Sequence, residues 1–216
     1  LYGALVGGPD MAGKYSDNIG DYQYTEVAID YNAGYTAALC AMIKKYGGKI
    51  DPNFPEPEAP KWKEFYIEAC INQSSGSYSE LKVNATNHSA WPARTVKNLS
   101  YNYYMDFTEL FDAGLTADDV SVKIGYDEWG NNCTISKPVK YSGNIYYVKI
   151  SYLDGTKIMP TGQSEHQGEI QFRVSVPDNT PVWDSSNDYS IGDLQKQTMV
   201  ITDKITMYDG DTLIWG

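Results

Sequence analysis

Two acids stand close together near the front of the chain, in the stretch DYQYTEVAIDYNAGY, Asp21–Tyr35. Glu26 and Asp30 lie among tyrosines and small residues, an environment that can desolvate a carboxyl group and keep it protonated. Such a carboxyl can serve as a general acid, which donates a proton to a leaving group. The structural alternative is that Glu26 is one charge at the start of a buried helix. The catalytic hypothesis also requires a second catalytic group opposite Glu26.

The residues that follow Thr25 have the spacing of a helix. Apolar and aromatic side chains recur at steps of three and four residues, at Val27, Tyr31, Tyr35, Ala38, Leu39, Met42, Ile43 and Tyr46. Thr25 is a suitable N-cap, and Gly47 is a suitable end. The remaining faces carry alanine and glycine, which predicts a helix that packs on several sides inside a body larger than this chain.

A proline-rich segment separates this helix from the rest of the chain. KIDPNFPEPEAP, Lys49–Pro60, has four prolines in twelve residues, which is typical of an extended linker. Beyond Trp62, polar residues alternate with apolar or aromatic ones in segments such as KEFYIEACIN, ELKVNATN and GEIQFRVSV, the period of β-strands. The sequence therefore predicts a mainly β protein, with a helical fragment at 1–47, a linker at 48–61 and an antiparallel β-sandwich at 62–216.

The amino-acid composition argues against some classes of binding partner and favours others. The chain has 216 residues, a formal charge of −11, and 19 tyrosines against 17 lysines plus arginines. The negative charge argues against a nucleic-acid partner, and no apolar run is long enough to span a membrane. Many tyrosines with few lysines are typical of extracellular β-proteins that bind sugars. Cys40, Cys70 and Cys133 lack metal-site spacing and are expected to be buried free thiols.

The front of the chain resembles a known enzyme family. The run DNIGDYQYTEVAIDYNAGY, Asp17–Tyr35, together with the opening YGALVGGPD, is similar to the second signature of family 9 glycoside hydrolases, the (α/α)6-barrel cellulases. One departure is Thr25, where the family usually has Asn. The resemblance implies that Glu26 is the general acid and that Asp17 is a second catalytic residue. By position, Asp17 and Tyr31 match residues around the sugar-binding subsite.

The same resemblance implies an inverting mechanism, in which a second carboxylate about 6.5–9.5 Å away activates water. The family's water-activating aspartate pair and its His/Arg motif have no match in this chain, which starts at Leu1. We therefore expect the chain to be a piece of a longer protein and to be inactive alone. The upstream family 9 barrel would be its partner in the same protein.

The second part resembles the c subgroup of family 3 carbohydrate-binding modules. The similarity is carried by SAWPARTVKNLSYNYYMD, Ser89–Asp106, and by PVWDSSNDYS, Pro181–Ser190. It implies a structural Ca²⁺, whose ligands would be Asp106, Thr108, Asp184, Asn187 and Asp188; the alternative is that DSSND is only a polar turn. Oxygen ligands of these types are those that Ca²⁺ takes.

For the predicted β-sandwich, the sequence does not single out one set of sugar-binding residues. Thr180 stands where cellulose-binding members carry a tryptophan, so weak binding to crystalline cellulose is expected, and Trp183 is interpreted as packing. Residues that could serve either binding or docking on the barrel are Trp91, Arg94, Tyr101, Tyr103 and Tyr189.

Together these resemblances imply the C-terminal part of an endo-β-1,4-glucanase. Its module would dock on the catalytic domain and feed it single chains of cellulose or soluble β-1,4-glucan. The expected location is extracellular, with the protein secreted either free or into a cellulosome. Two alternatives stay open: a non-catalytic cellulose-binding or scaffold module with a vestigial N-terminal tail, and a calcium-stabilised adhesion sandwich.

Overall fold

The computed structural model of the protein describes residues 3–56, 59–90, 92–153, 155–178 and 180–216. The chain divides into two compact units, Leu1–Ala59 and Pro60–Gly216, and the division falls inside the segment predicted as a linker. Among the described residues, every buried side chain belongs to the second unit. No helix in the described part of the chain is both long enough and apolar enough to cross a membrane.

The first unit contains a short helix, α1 (Tyr22–Thr25), and a longer one, α2 (Ile29–Tyr46). The predicted N-cap at Thr25 is therefore wrong, because Thr25 closes α1 and its hydroxyl donates to the carbonyl of Asp21 at 3.0 Å. Ala28, with φ −122° and ψ 152°, is the residue that precedes α2. The predicted end is confirmed, since Gly47 has a φ of 75° and its N–H bonds to the carbonyl of Ile43 at 2.8 Å.

Helix α2 has no buried residue within this chain. Leu39, Met42 and Ile43 are exposed, and the thiol of Cys40 is exposed as well, contrary to the expectation that all three cysteines are buried. An open groove of about 570 Å³ runs along the start of the helix between Ala4 and Thr36. The described residues of the first unit therefore leave part of its apolar surface uncovered within that unit.

The second unit is built from short antiparallel strands. Their bounds are β1 (Phe65–Ser75), β2 (Tyr78–Asn87), β3 (Leu99–Asp106), β4 (Ser121–Asp127), β5 (Cys133–Ile135), β6 (Val139–Ser142), β7 (Ile145–Tyr152), β8 (Gln167–Ser175), β9 (Val200–Thr202), β10 (Ile205–Asp209) and β11 (Thr212–Trp215). A one-turn helix, α3 (Thr108–Asp112), follows β3, and 3₁₀ turns lie at Ala117–Asp119 and Ser185–Asn187.

The strands form two sheets. The first sheet has the order β4-β8-β2-β1-β9, and the second has the order β11-β10-β3-β7-β5, with β6 also paired to β7. All the strand pairs are antiparallel, which confirms the predicted fold class. Since successive side chains point to opposite sides, each sheet has an inner and an outer face.

The core lies between the two inner faces. The first sheet contributes Ile67, Leu81, Val83, Ile170 and Phe172, and the second contributes Tyr101, Tyr103, Met105, Val148, Ile150 and Met207. Trp183 is buried against Phe107, with ring centroids 6.1 Å apart, so its predicted packing role is confirmed. Tyr101 and Tyr103 are fully buried, which excludes them from the surface roles that the sequence left open.

Gly168 allows the side chain of Trp129 to lie close against the backbone of β8. A Cβ atom on Gly168 of β8 would lie 1.8 Å from the ring of Trp129. That ring packs edge-on against Tyr152 of β7, with centroids 4.9 Å apart. The loop after β4 is thus held against the sandwich through a contact that a larger residue at 168 would displace.

Candidate functional site

The backbone around Glu26 is held by the glycine-rich loop that precedes it. The N–H of Gly7 donates to the carbonyl of Glu26 at 3.1 Å, and the N–H of Gly8 donates to the carbonyl of Tyr24 at 3.0 Å. A Cβ on Gly7 would lie 3.0 Å from the carbonyl oxygen of Gln23, so this approach favours glycine. Glu26 therefore sits in an extended connection between α1 and α2 and not in the first turn of a helix.

Asn32 ties the opening of the chain to α2. Its side-chain amide donates to the carbonyl of Leu5 at 2.8 Å, and its Oδ1 accepts from the N–H of Leu5 at 2.8 Å. The same amide donates to the carbonyl of Ala28 at 2.9 Å. Hydrogen bonds to backbone groups of the opening loop therefore hold the segment around Glu26, which has no buried side chain.

The three predicted residues of this segment have different surroundings. The Glu26 side chain is exposed, and Asp17 is exposed with Oδ1 accepting from the hydroxyl of Tyr15 at 3.5 Å. The hydroxyl of Tyr31, predicted to bind sugar, donates to the backbone carbonyl of Glu26. Tyr31 thus positions the acid's backbone, and the structure brings Tyr31 and Glu26 together.

A second feature is a network of polar side chains on the outer face of the first sheet. We call it the polar face; it consists of Asn72, Glu80, Lys82, Glu169, Gln171 and Arg173. The antiparallel pairing of β2 with β8 places Arg173 opposite Glu80 and Gln171 opposite Lys82. The alternation of strands β2 and β8 brings these groups to the outer side.

The polar face is connected by short hydrogen bonds. Arg173 donates twice to Oε2 of Glu80, from Nε at 2.9 Å and from Nη2 at 2.7 Å, and its guanidinium lies 4.1 Å from the centre of the Tyr78 ring. Asn72 donates to Oε1 of Glu80 at 2.6 Å and to Oε1 of Gln171 at 3.3 Å.

Glu169 connects the other end of the network. Its carboxylate accepts from Nε2 of Gln171 at 2.7 Å and pairs with Nζ of Lys82 at 2.6 Å. The hydrogen bond to Glu169 raises the pKa of Lys82. The result is a half-exposed sheet surface that offers many fixed donors and acceptors, suited to a ligand rich in hydroxyl groups.

The predicted surface residues of the second unit do not form one site. Arg94 is exposed, pairs with Glu64 at 2.9 Å and lies over the Phe65 ring at 4.6 Å. Tyr189 lies on the second sheet, with its ring centroid 6.2 Å from that of Tyr104. Trp91 lies outside the described residues. No contact joins Arg94 to Tyr189 within the part of the chain that the structure describes.

Of the five residues predicted to bind calcium, three are joined by hydrogen bonds at the end of β3, namely Asp106, Thr108 and Asp188. Asp184 and Asn187, at the Ser185–Asn187 turn, contact Glu109. The carboxylate of Asp188 is buried and accepts from the N–H of Asp106 at 2.8 Å and from the hydroxyl of Tyr103 at 3.3 Å. Oδ1 of Asp106 accepts from the hydroxyl of Thr108 at 2.6 Å.

Glu109 joins this acidic cluster. Its Oε2 accepts from Nδ2 of Asn187 at 2.9 Å, and its Oε1 accepts from the N–H of Asp184 at 3.4 Å. Burial, reinforced by the Glu109 carboxylate, raises the pKa of Asp188 well above its usual range. Hydrogen bonds from Ser186 lower the pKa of Asp184. Among the ion pairs of the described residues, none neutralises this cluster.

The donor set of the cluster is compatible with a hard cation. Carboxylate, amide and hydroxyl oxygens gather there, and the Nδ2 bond of Asn187 to Glu109 leaves its Oδ1 available. Within the described ranges, no three His, Cys, Asp or Glu side chains converge as a ready-made metal site. A bound Ca²⁺ would therefore depend on the Asn187 and Thr108 oxygens as well as on carboxylates.

Sequence reasoning missed the polar face and Glu109. The alternation of Glu169, Gln171 and Arg173 along β8 was visible as a strand pattern, but it equally describes an ordinary solvated face. Only the register of β2 against β8 shows that the charges are paired and linked. Glu109 could have been found from its place one residue after Thr108.

Fold and sites together define a two-sheet antiparallel β-sandwich that follows a helical segment with an exposed acid. The sequence model of the cellulose binding domain matches residues 66–216, and that of glycosyl hydrolase family 9 matches residues 1–39. The chain belongs to the cellulose binding domain family, with a family 9 segment ahead of the domain. Both resemblances inferred from the sequence are thereby confirmed at the level of the family.

Individual relatives have the same order of parts. Endoglucanase A of Bacillus pumilus is 39% identical over 219 residues, which cover all of this chain and 32% of the relative. The crystal structure of endoglucanase CelQ from Clostridium thermocellum, complexed with cellobiose and cellotriose, is 49% identical, with a TM-score of 0.76, over all of this chain and 36% of that one.

A more distant structure shares the sandwich alone. The CBM3b domain of the scaffoldin ScaA from Acetivibrio cellulolyticus is 20% identical with a TM-score of 0.53, covering 71% of this chain and 95% of that one. The chain thus spans about a third of the length of these two endoglucanases and 95% of the isolated module.

Proposed function

We propose that this chain is the C-terminal part of a secreted endo-β-1,4-glucanase that hydrolyses cellulose with inversion. The observation that carries the proposal is the family 9 match over residues 1–39, with Glu26 held in place by Gly7 and Tyr31. Glu26 would protonate the leaving glycosidic oxygen, and Asp17 would be a second catalytic residue beside the sugar-binding subsite. The water-activating carboxylate would come from a part of the barrel that this chain does not include.

The exposed surface of the first unit supports this placement. The apolar residues of α2 and the groove between Ala4 and Thr36 would be covered by the other helices of a barrel. In that setting the carboxyl of Glu26, exposed in this chain, would be enclosed as a general acid requires.

The second unit would bind glucan through the polar face. Its donors and acceptors are already hydrogen-bonded to one another, which suits transient contact with a single hydrated chain more than adhesion to crystalline cellulose. The module would dock on the catalytic domain and direct such chains to it. Arg94 would contribute to binding or docking at the edge of the first sheet.

The acidic cluster would hold a structural Ca²⁺ through Asp106, Thr108, Asp184, Asn187 and Asp188, with Glu109 nearby. The ion would neutralise carboxylates that have no cationic partner among the described residues and would fix the turn at Ser185–Asn187 against β3. It would have no part in the hydrolysis.

The catalytic proposal is tested by hydrolysis of a soluble β-1,4-glucan. A protein in which a family 9 barrel precedes this chain is compared with its Glu26→Gln and Glu56→Gln variants; Glu56 is an exposed carboxylate of the linker. We expect Glu26→Gln to lower kcat by about 10²–10⁴-fold and Glu56→Gln to leave it unchanged. Full activity of Glu26→Gln would refute the role of the acid.

The binding proposal has its own test and its own rival. Arg173→Gln should weaken binding of soluble cellohexaose several-fold, whereas Lys137→Gln, an exposed loop cation, should not. The cellulose binding domain match favours a second candidate, a purely binding module. That candidate predicts firm retention on crystalline cellulose and no contribution of Glu26 to any activity.

A further inference from the structure

The backbone of Glu26 is held from three sides. Its N–H donates to the carbonyl of Tyr22 in α1 at 3.1 Å. Its carbonyl accepts from the N–H of Gly7 at 3.1 Å and from the hydroxyl of Tyr31 in α2. Because no described side chain of the first unit is buried, these hydrogen bonds determine where the segment lies. The direction in which the Glu26 side chain leaves the backbone therefore depends on the loop that contains Gly7.

Asn32 is the side chain that anchors this loop. Its amide forms a closed pair with the backbone of Leu5, since Nδ2 donates to the carbonyl and Oδ1 accepts from the N–H, each at 2.8 Å. Nδ2 also donates to the carbonyl of Ala28 at 2.9 Å. An aspartate at this position could keep only the bond from the Leu5 N–H, because a carboxylate has no hydrogen to donate. It would also place a negative charge against two carbonyl oxygens.

The loop connects Asn32 to the acid. Leu5 is bound by Asn32, and two residues later Gly7 donates to the carbonyl of Glu26. The approach at Gly7 is close, since a Cβ there would lie 3.0 Å from the carbonyl oxygen of Gln23. A loop released at Leu5 could shift relative to this segment, and the backbone of Glu26 would shift with it.

We propose that Asn32 is a positioning residue for the general acid. It fixes Leu5 and thereby the loop that holds Glu26, and it does not itself touch the reacting atoms. Because Glu26 is the acid only under the proposed function, the role of Asn32 rests on that function. A proton donor must lie within hydrogen-bond reach of the oxygen that it protonates, and a displacement of about 1 Å can lower a rate about 10²-fold.

The step that depends on this position is proton transfer to the leaving group. Glu26 gives its proton to the glycosidic oxygen as the bond from C1 to that oxygen breaks, so the departing sugar leaves as an alcohol. Water forms the new bond to C1 and passes a proton to the water-activating carboxylate of the barrel. A 2,4-dinitrophenyl group, in contrast, departs as a stable anion and needs no proton from Glu26. A displaced acid therefore slows hydrolysis of glucan and spares the aryl substrate, whereas a damaged fold slows both.

The test compares cellohexaose with 2,4-dinitrophenyl β-cellobioside, in the protein in which a family 9 barrel precedes this chain. We expect Asn32→Asp to lower kcat on cellohexaose about ten-fold or more, with KM and the aryl activity changed less than about two-fold. Gly7→Ala should show the same split, because its Cβ presses on the same segment. Asn53→Asp makes the same chemical change at an exposed position of the linker and should match the wild type on both substrates.

Glu26→Gln, measured in parallel, separates the role of Asn32 from the proposed function. If Glu26→Gln hydrolyses cellohexaose at the wild-type rate, Glu26 is not the acid and the positioning role fails with it. If Glu26→Gln loses only the glucan activity while Asn32→Asp matches the wild type on both substrates, the acid stands and the positioning role is refuted. Equal losses on both substrates in Asn32→Asp would show that Asn32 serves the fold alone, which also overturns the proposal.

Discussion

Gly168 shows how closely side chains of this sandwich approach its backbone. The Trp129 ring occupies the volume that a Cβ atom would need, and the same ring packs on Tyr152. At the residue scale, the stability of the β4–β5 connection therefore depends on the absence of a side chain at a single position.

Gly168→Ala should destabilise the second unit by about 1–3 kcal/mol, because the indole must move and lose contacts in the core. Thermal unfolding of the whole chain measures the effect. Gly125→Ala is the control, since a Cβ there would lie an ordinary 3.7 Å from the carbonyl oxygen of Gln171. Equal melting temperatures for both variants would contradict the argument.

His88 is the residue with the clearest expected pH dependence. Burial, together with the neighbouring His166 ring stacked 5.2 Å away, holds the pKa of His88 below its ordinary value of 6.5. The unfolded chain then binds a proton that the folded chain does not, so stability falls as the pH drops through the window below about 6.5.

We expect His88→Gln to flatten this dependence. The measurement is the melting temperature between about pH 7.5 and pH 5.5, where most carboxylates stay ionised. Lys137→Gln should retain the wild-type slope. A slope in His88→Gln as steep as that of the wild type would show that other groups cause the acid sensitivity.

At the scale of elements, the acidic cluster joins the end of β3 to the turn at Ser185–Asn187. If Ca²⁺ binds there, chelation by EGTA should lower the melting temperature of the second unit, and saturation at 100 times the Kd should stabilise it by about 2.7 kcal/mol. Calorimetric scans with CaCl₂ and with EGTA measure this difference.

Asp184→Asn should reduce the calcium-dependent shift, while Asp118→Asn, an exposed carboxylate in another turn, should preserve it. If the wild type melts at the same temperature with CaCl₂ and with EGTA, Ca²⁺ does not stabilise this fold.

Elements also show what could be predicted from the sequence. Strands β2 and β8 follow from strict alternation, because one face of each is buried, and the end of α2 follows from Gly47. The start of α2 could not be predicted, since it depends on the bond from Gly7 to the carbonyl of Glu26, a contact 19 residues apart along the chain. Periodicity alone continued the helix through Glu26.

The candidate sites divide in the same way. The acid segment and the acidic cluster are contiguous motifs, so their residues could be named in advance. The polar face depends on which strands are neighbours: Arg173 faces Glu80 across 93 positions, and on the second sheet Tyr104 bonds to Thr206 across 102. Spacing along one strand does not contain that information.

At the scale of the whole molecule, the two units differ in whether they have a buried core that can stabilise them. All the buried residues among those described lie in Pro60–Gly216, while the helix α2 has 18 residues and none buried. A helix of that length is marginal in water without tertiary packing.

We therefore expect a protein limited to residues 60–216 to unfold cooperatively, with a melting temperature within about 2 °C of the full chain. A peptide of residues 1–59 should show weak helical circular dichroism. Calorimetry and far-ultraviolet spectra measure the two outcomes. A drop of many degrees on removing the first unit would show that the sandwich depends on it.

The side chains of the polar face are hydrogen-bonded to one another, and this affects how fast a bound glucan would dissociate. Glu80 and Glu169 already have partners at 2.6–2.9 Å, so a glucan hydroxyl must exchange bonds with them and gains little net free energy at any one position. Each contact would then be brief, and neighbouring registers along the strands would be close in energy. We expect fast dissociation and easy lateral displacement, so that a polymer chain could slide along this surface while remaining associated with it.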